Sequence, residues 1–209
     1  MMTQKLKLIG IITTLWSLAA TASATGAGFY LGGALGETNT NNRVRTVQTT
    51  PPVTVDPSNT GLGARIFGGY VVNKYAAFEG GFTRYSPSTY NVSSSLLPES
   101  PTIRENGVDL TARGSFPIYD FSVFGKAGIA FIRESLAGSL NTNPGQTNGT
   151  STYIRPIGGI GVGYDFSANW VGELSYTRVF KGGNFQNADF ISLGVSYHFV
   201  DKYCGQFLC

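Results

Sequence analysis

The sequence is short of charge, of cysteine, of histidine and of long apolar runs. Charged residues fill 13% of the 209 positions, about half the share usual in globular domains. The net charge is only +3, so the chain has no general electrostatic pull on nucleic acid. There is one histidine, His198, and two cysteines, Cys204 and Cys209. Their spacing, with no further Cys or His to join them, is not a metal signature, and no metal or cofactor is expected. Beyond the first 24 residues no run is long and apolar enough for a helical membrane span. The chain therefore crosses a membrane as strands or does not cross one.

Residues 1–24 form a removable leader. Lys5 and Lys7 supply a basic start, Leu8 to Ala20 is largely apolar, and Ala22-Ser23-Ala24 fits a signal-peptidase site. Loss of the two lysines brings the mature chain closer still to neutrality. Residues 25–200 then form one domain, and 201–209 are left as a short tail.

What is present in quantity is glycine, 28 residues, and aromatics, 13%, arranged with a period of two. In Gly63 to Tyr85, Ile66, Gly68, Tyr70 and Val72 share one face, and Arg65, Phe67, Gly69 and Val71 share the other. The segment reads as a hairpin turning at Asn73-Lys74, with Glu79 opposite in phase to Phe78 and Phe82 on the second arm. Arg113, Lys126 and Glu173 repeat the pattern of one mid-strand charge behind an apolar face. Sparse charge on one face and a greasy opposite face fit a barrel with a polar lumen and lipid outside.

The other strands are Gly28 to Gly36, Val108 to Phe116, Phe121 to Ile132, Tyr153 to Phe166, Trp170 to Phe180 and Phe190 to Val200. The last alternates strictly, Ile191, Leu193, Val195, Tyr197 and Phe199 against Ser192, Gly194, Ser196 and His198. The count is eight, and long and short connections alternate. The long ones are Thr38 to Asn59, Ser86 to Glu105, Asn141 to Ser151 and the shorter Lys181 to Asn187. The short ones are Asn73-Lys74, Pro117 to Asp120 and Ser167 to Asn169. The fold expected is all-β: an eight-stranded antiparallel transmembrane β-barrel with short periplasmic turns and long extracellular loops. Phe29, Tyr30, Tyr75, Phe116, Trp170, Phe180, Tyr197 and Phe199 lie near strand ends, where interfacial girdles form.

Gly63 to Tyr85, Gly107 to Pro117, Arg155 to Tyr176 and Ile191 to Phe199 follow one another as in a known family. Within them, Phe67-Gly68-Gly69-Tyr70, Leu110-Thr111-Ala112-Arg113 and Ser192 to Tyr197 carry the likeness. The chain resembles the N-terminal transmembrane barrel of the OmpA family over nearly all its mature length, the long loops excepted. The resemblance implies the outer membrane of a Gram-negative bacterium and a structural, porin-like or adhesive role. It also implies a lumen salt-bridge network proposed to gate a narrow pore. By position the family's acid on the third strand falls on Glu79, its lysine on the fourth on Arg113 and its arginine on the fifth on Lys126. Its acid on the sixth strand falls on Gly163, and its arginine on the seventh on Glu173, so the charge has moved. Arg65 and Asp109, nearer the strand ends, extend the network. Full-length family members continue into a peptidoglycan-binding domain; this chain leaves no room for one, so no anchoring to peptidoglycan by that route is expected.

The charged set also has a purely structural reading, since a small lumen is filled by side chains and buried charge must be paired. His198 lacks an evident nucleophile and acid, so a lipid-modifying barrel enzyme is the rival reading and catalysis is not expected. A soluble lipocalin-like barrel is a third reading; it would place apolar residues inside. The GxGxG at Gly159, Gly161 and Gly163 lies within a strand and is no phosphate loop; these glycines let the sheet curve or make room across the lumen. Cys204 and Cys209, an even pair in an exported chain, permit a tail disulfide, free thiols or an intermolecular bridge. Arg43 and Arg45, in the first long loop, are either solvated or meet lipopolysaccharide phosphates or a host polyanion. The partners expected are outer-membrane lipid and lipopolysaccharide, and host surface molecules through the loops.

Overall fold

A computed structural model describes residues 27–42, 45–47, 53–55, 57–90, 102–137, 149–182 and 186–199. Residues 1–24, expected to be a leader, and the tail with Cys204 and Cys209 lie outside these residues, as does Arg43. Eight long strands form the wall: Gly28–Asn39, Thr60–Asn73, Ala76–Arg84, Thr102–Ile118, Phe121–Ala137, Gly149–Asp165, Trp170–Val179 and Ala188–His198. They are called the first to eighth strands below. Each pairs antiparallel with its neighbours in sequence. The first also pairs with the eighth, from Tyr30 opposite His198 to Asn39 opposite Asp189. The sheet is therefore a closed barrel. Closure leaves no strand edge unpaired, which a hydrocarbon surround demands.

Side chains alternate strictly about this wall. Leu35, Ile66, Leu110, Ile160 and Leu193 point outward and are more than half exposed. Arg65, Glu79, Asp109, Lys126 and Glu173 point inward and are buried. On the fourth strand the outward positions from Val108 to Ile118 are apolar or glycine, whereas Asn106 and Arg104 above them are polar. The apolar belt thus ends at Val108, and the strand runs on clear of it. A belt of this height matches the nine to eleven residues, roughly, that a membrane strand needs.

The strands are longer than the alternation alone predicts, chiefly at the long-loop end. The fourth starts at Thr102 instead of Val108, and the fifth ends at Ala137 instead of Ile132. There the outward residues turn polar, Arg104, Asn106, Arg133 and Ser135, so hydropathy stops marking the strand while hydrogen bonding continues. The expected loop Thr38 to Asn59 contains a ladder of Arg45–Val47 with Val53–Val55 and the short strand Pro57–Ser58. That short strand pairs with Ser88–Tyr90, inside the expected loop Ser86 to Glu105.

Two turns also move. The first hairpin turns at Lys74-Tyr75, not Asn73-Lys74, because a bulge between Val71 and Asn73 adds a residue. There the Tyr75 amide donates to Asn73 Oδ1 at 2.8 Å. The second narrows to Tyr119-Asp120, with Tyr119 at φ 56°.

The lower girdle is aromatic. Phe29 packs on Tyr70 with centroids 4.9 Å apart, Phe121 on Tyr164 at 4.8 Å and Trp170 on Tyr197 at 5.0 Å. Tyr30 does not belong to it. Its phase on the first strand points it inward, where it is 4% exposed.

Candidate functional site

Along its axis the lumen is filled by stacked layers. Nearest the short turns is a cavity of about 220 Å3 whose lining includes Lys74, Asp165, Arg113, Glu173 and His198. The ring of His198 stacks on Tyr30 with centroids 5.0 Å apart. Its Nε2 lies 3.5 Å from Ser196 Oγ, long for a working hydrogen bond between a base and a nucleophile.

The next layer is a lattice of ion pairs centred on Glu79. Arg65 Nη2 donates to Glu79 Oε1 at 3.0 Å, and Lys126 Nζ donates to the same oxygen at 3.2 Å. Tyr30 Oη donates to Oε2 at 3.0 Å, and Arg113 Nη1 stands 3.7 Å from it. Arg65 also grips Asp109 with both terminal nitrogens and donates to Thr83 Oγ1 at 3.0 Å. Arg113 reaches Glu173 at 2.5 Å, and its guanidinium lies 3.7 Å over the Phe124 ring.

The structure thus brings together all six charges that the sequence singles out. Three acids, Glu79, Asp109 and Glu173, meet three bases, Arg65, Arg113 and Lys126. The cluster is neutral as a unit, the condition under which buried charge is tolerated. Arg65 and Asp109 are as deeply buried as the rest and belong to the centre of the lattice, not its margin.

Glycine makes the room. A Cβ at Gly81 would strike the Arg65 guanidinium, at 2.8 Å from Nη1. One at Gly159 would meet Thr177 Oγ1 at 3.0 Å and Lys126 Cε at 3.3 Å, and one at Gly161 would lie 2.5 Å from Phe124 Cζ. Tyr30, Phe67 and Phe124 are inward aromatics that hold the charged layer laterally. Of these, Tyr30 was hidden by its place near a strand end, although its phase relative to the outward Phe29 and Leu31 marks it as inward.

Above the charges the lumen turns dry. Tyr85, Ala130, Ile132, Ile157, Val179, Ala188 and Phe190 pack as one buried apolar cluster. Sequence reading missed this plug. Its signal is that Ile132, Ile157 and Val179 occupy the same phase as the lumen charges on their strands.

A hydrogen-bonded polar cluster sits at the long-loop end. Asn42 Nδ2 donates to Glu105 Oε1 and to Ser88 Oγ, each at 3.1 Å. The Thr40 and Ser88 hydroxyls share a hydrogen bond of 2.6 Å, and Asn59 Nδ2 donates to the Asn42 carbonyl at 3.0 Å. Glu105, level with outward Arg104 and Asn106, stands clear of the apolar belt. Burial pushes its carboxyl up to about 7, helped by Glu134 on the facing strand and opposed by the Asn42 hydrogen bond.

The OmpA-like transmembrane domain matches residues 24–203. An uncharacterised protein of Coxiella burnetii is 29% identical over 85% of this chain and 87% of its own length. Outer membrane protein A of Yersinia pseudotuberculosis is 26% identical over 82% of this chain. That alignment covers 48% of the Yersinia protein, so the chain spans about half its length. Among solved structures, Neisserial surface protein A covers 83% of the chain and is matched over 99% of its own, at 18% identity and TM-score 0.55. OprG of Pseudomonas aeruginosa covers 83% and is matched over 97%, at 9% identity and TM-score 0.57. The attachment invasion locus protein of Yersinia pestis, solved with the heparin analogue sucrose octasulfate, covers 83% and is matched over 99%, at 14% identity and TM-score 0.50. At these identities the structures speak for the fold. Taken with the inverted barrel and its aromatic girdle, the family match shows that the chain belongs to the OmpA-like transmembrane domain family and resides in the outer membrane of a Gram-negative bacterium.

Proposed function

We propose that this protein is a non-enzymatic, closed barrel that reinforces the outer membrane and holds its long loops at the cell surface. The observation that carries this is the filled lumen. An ion path through the barrel meets two barriers in series, the Glu79 lattice and the dry cluster around Ile132 and Phe190. An exchange of ion-pair partners, the gate implied by the family resemblance, would leave the second barrier in place. The lumen charges then act as structural pairing, tying the second, third, fourth, fifth and seventh strands together across the axis.

The rival enzymatic reading gains nothing from His198, whose ring packs against Tyr30. An adhesive role for the loops is compatible with a rigid barrel, because binding segments work best on a stiff scaffold.

Two measurements test the proposal. Purified protein in planar bilayers gives no stepwise conductance; regular open steps would overturn the closed-barrel reading. Deletion of the gene sensitises cells to detergent, and restoration of the full chain reverses it. Unchanged permeability after deletion would overturn the reinforcing role.

A further inference from the structure

The outer rim of the barrel is uneven in charge, and the register places three arginines together. Arg84 ends the third strand and faces outward. It pairs with Asn106 on the fourth strand, which pairs in turn with Arg133 on the fifth. Arg104 lies on the same outward face, one outward position beyond Asn106. Arg84 and Arg133 are two strand spacings apart, about 10 Å, and Arg104 is about 7 Å from the line of Asn106. All three are exposed, and no guanidinium among them has a hydrogen bond or ion pair among the described residues.

Directly below them, toward the membrane, the next outward side chains on the same strands are Phe82, Val108 and Phe131, all exposed and apolar. The opposite side of the rim differs. On the seventh and eighth strands Arg178 is held by Asp189 at 2.6 Å, and Asp189 also accepts from Tyr176 Oη at 2.7 Å. Glu37 stands near them on the first strand. One arc of the rim is therefore open and basic, and the opposite arc is acidic or already paired.

We infer that Arg84, Arg104 and Arg133 form a binding site for the phosphorylated headgroup of an outer-leaflet glycolipid, lipopolysaccharide, with Phe82, Val108 and Phe131 receiving its acyl chains. The chemistry asked of the ligand is specific. It must carry anionic groups at the height where the apolar belt ends, and hydrocarbon immediately beneath. Three guanidiniums spread over about 10 Å exceed the reach of one phosphate, which favours a headgroup bearing more than one. Guanidinium binds phosphate through paired N–H donors, stronger than neutral contacts. The site deepens the reinforcing role proposed above by naming the lipid that the barrel would hold, and it rests on the outward placement of the long-loop end.

The test uses the full mature chain in detergent micelles at fixed salt, titrated with purified lipopolysaccharide, its dephosphorylated form, and heparin. An Arg84→Ser/Arg104→Ser/Arg133→Ser variant binds lipopolysaccharide on the order of a hundredfold more weakly, about fivefold for each charge lost at a membrane surface. The corresponding lysine triple keeps binding within about tenfold of wild type, because the charge remains. Arg178→Ser, on the paired arc, binds as wild type. Folding of each variant is checked by its heat-dependent electrophoretic mobility and its strand circular dichroism. The inference is overturned if the folded serine triple binds as wild type does. It is equally overturned if the dephosphorylated lipid binds as tightly as the native one, or if heparin alone depends on the three arginines, which would make the arc a glycan surface. Detergent sensitivity of the deletion strain is read separately, so failure here leaves the reinforcing role to its own test.

Discussion

Arg65 and Glu79 meet at 3.0 Å in mid-lumen, from adjacent strands, and neither is exclusive to the other. Arg65 also binds Asp109, and Glu79 also holds Lys126 and Tyr30. Glu79 is therefore the joint at which the charges of the second, third, fourth and fifth strands are tied together. Glu79→Ala leaves buried cations under-compensated and should cost about 3–5 kcal/mol. Combining it with Lys126→Met, which removes one of those cations, should recover part of the loss. Urea unfolding in lipid vesicles measures both; equal stability of Glu79→Ala and wild type would mean that the lattice contributes nothing.

The dry plug makes conductance a two-step matter. Glu79→Ala alone should remain silent in planar bilayers, because Ile132 and Phe190 still close the lumen. Glu79→Ala with Ile132→Ala and Phe190→Ala should conduct. Conductance from the single variant would place the whole barrier in the charged layer.

Backbone proximity gives a prediction with a built-in control. A Cβ at Gly128 would collide with the Leu110 carbonyl and lie 2.7 Å from Thr111 Cα, with no side-chain end to yield, whereas one at Gly114 would meet nothing within 4 Å. Gly128→Ala should therefore lower stability by roughly 1–3 kcal/mol, as overpacking does. Gly114→Ala should match wild type. Refolding yield followed by heat-dependent mobility separates the two.

Glu105 gives the polar cluster at the long-loop end a pH dependence. In the folded chain its carboxyl holds a proton up to about 7, whereas the unfolded chain releases it near 4.3. Between those values the folded state binds more protons, so stability falls as pH rises through the window and the penalty is complete above it. The size should be about 3–4 kcal/mol. Glu105→Gln, which stays neutral, should flatten that fall. Urea midpoints across pH 4 to pH 8, roughly the window set by those two values, check it; an unchanged slope in the variant would assign the dependence elsewhere.

Much of the fold is legible because lipid imposes a hard period of two. Ile191 to Phe199 against Ser192 to His198 could hardly be a helix or a loop, and the phases of Glu79, Arg113, Lys126 and Glu173 follow from the same rule. Legibility fails where lipid stops. Arg104, Glu105 and Asn106 continue the fourth strand above the belt, but with polar residues on both faces no alternation announces it. Inside, polarity is a poor guide, because the lumen is apolar at Ile132 and Phe190 and charged at Glu79. Phase, and not hydropathy, identifies Tyr30, Phe124 and Ile132 as inward. The partner choices within the lattice are not written in the sequence at all. They depend on register across strands distant in the chain, such as Glu79 with Lys126.

The account depends most on the direction in which the greasy side chains point. Leu193 is 69% exposed on the barrel surface, and neighbouring Ser192 is 3% exposed in the lumen. Spin labels at Leu193→Cys and Ser192→Cys, each in a Cys204→Ser/Cys209→Ser background in lipid vesicles, report this directly. The prediction is that the label at 193 collides freely with lipid-soluble oxygen and little with a water-soluble nickel chelate, while the label at 192 is shielded from lipid. A label at 193 that is shielded from lipid, with one at 192 exposed to it, would contradict the inverted barrel.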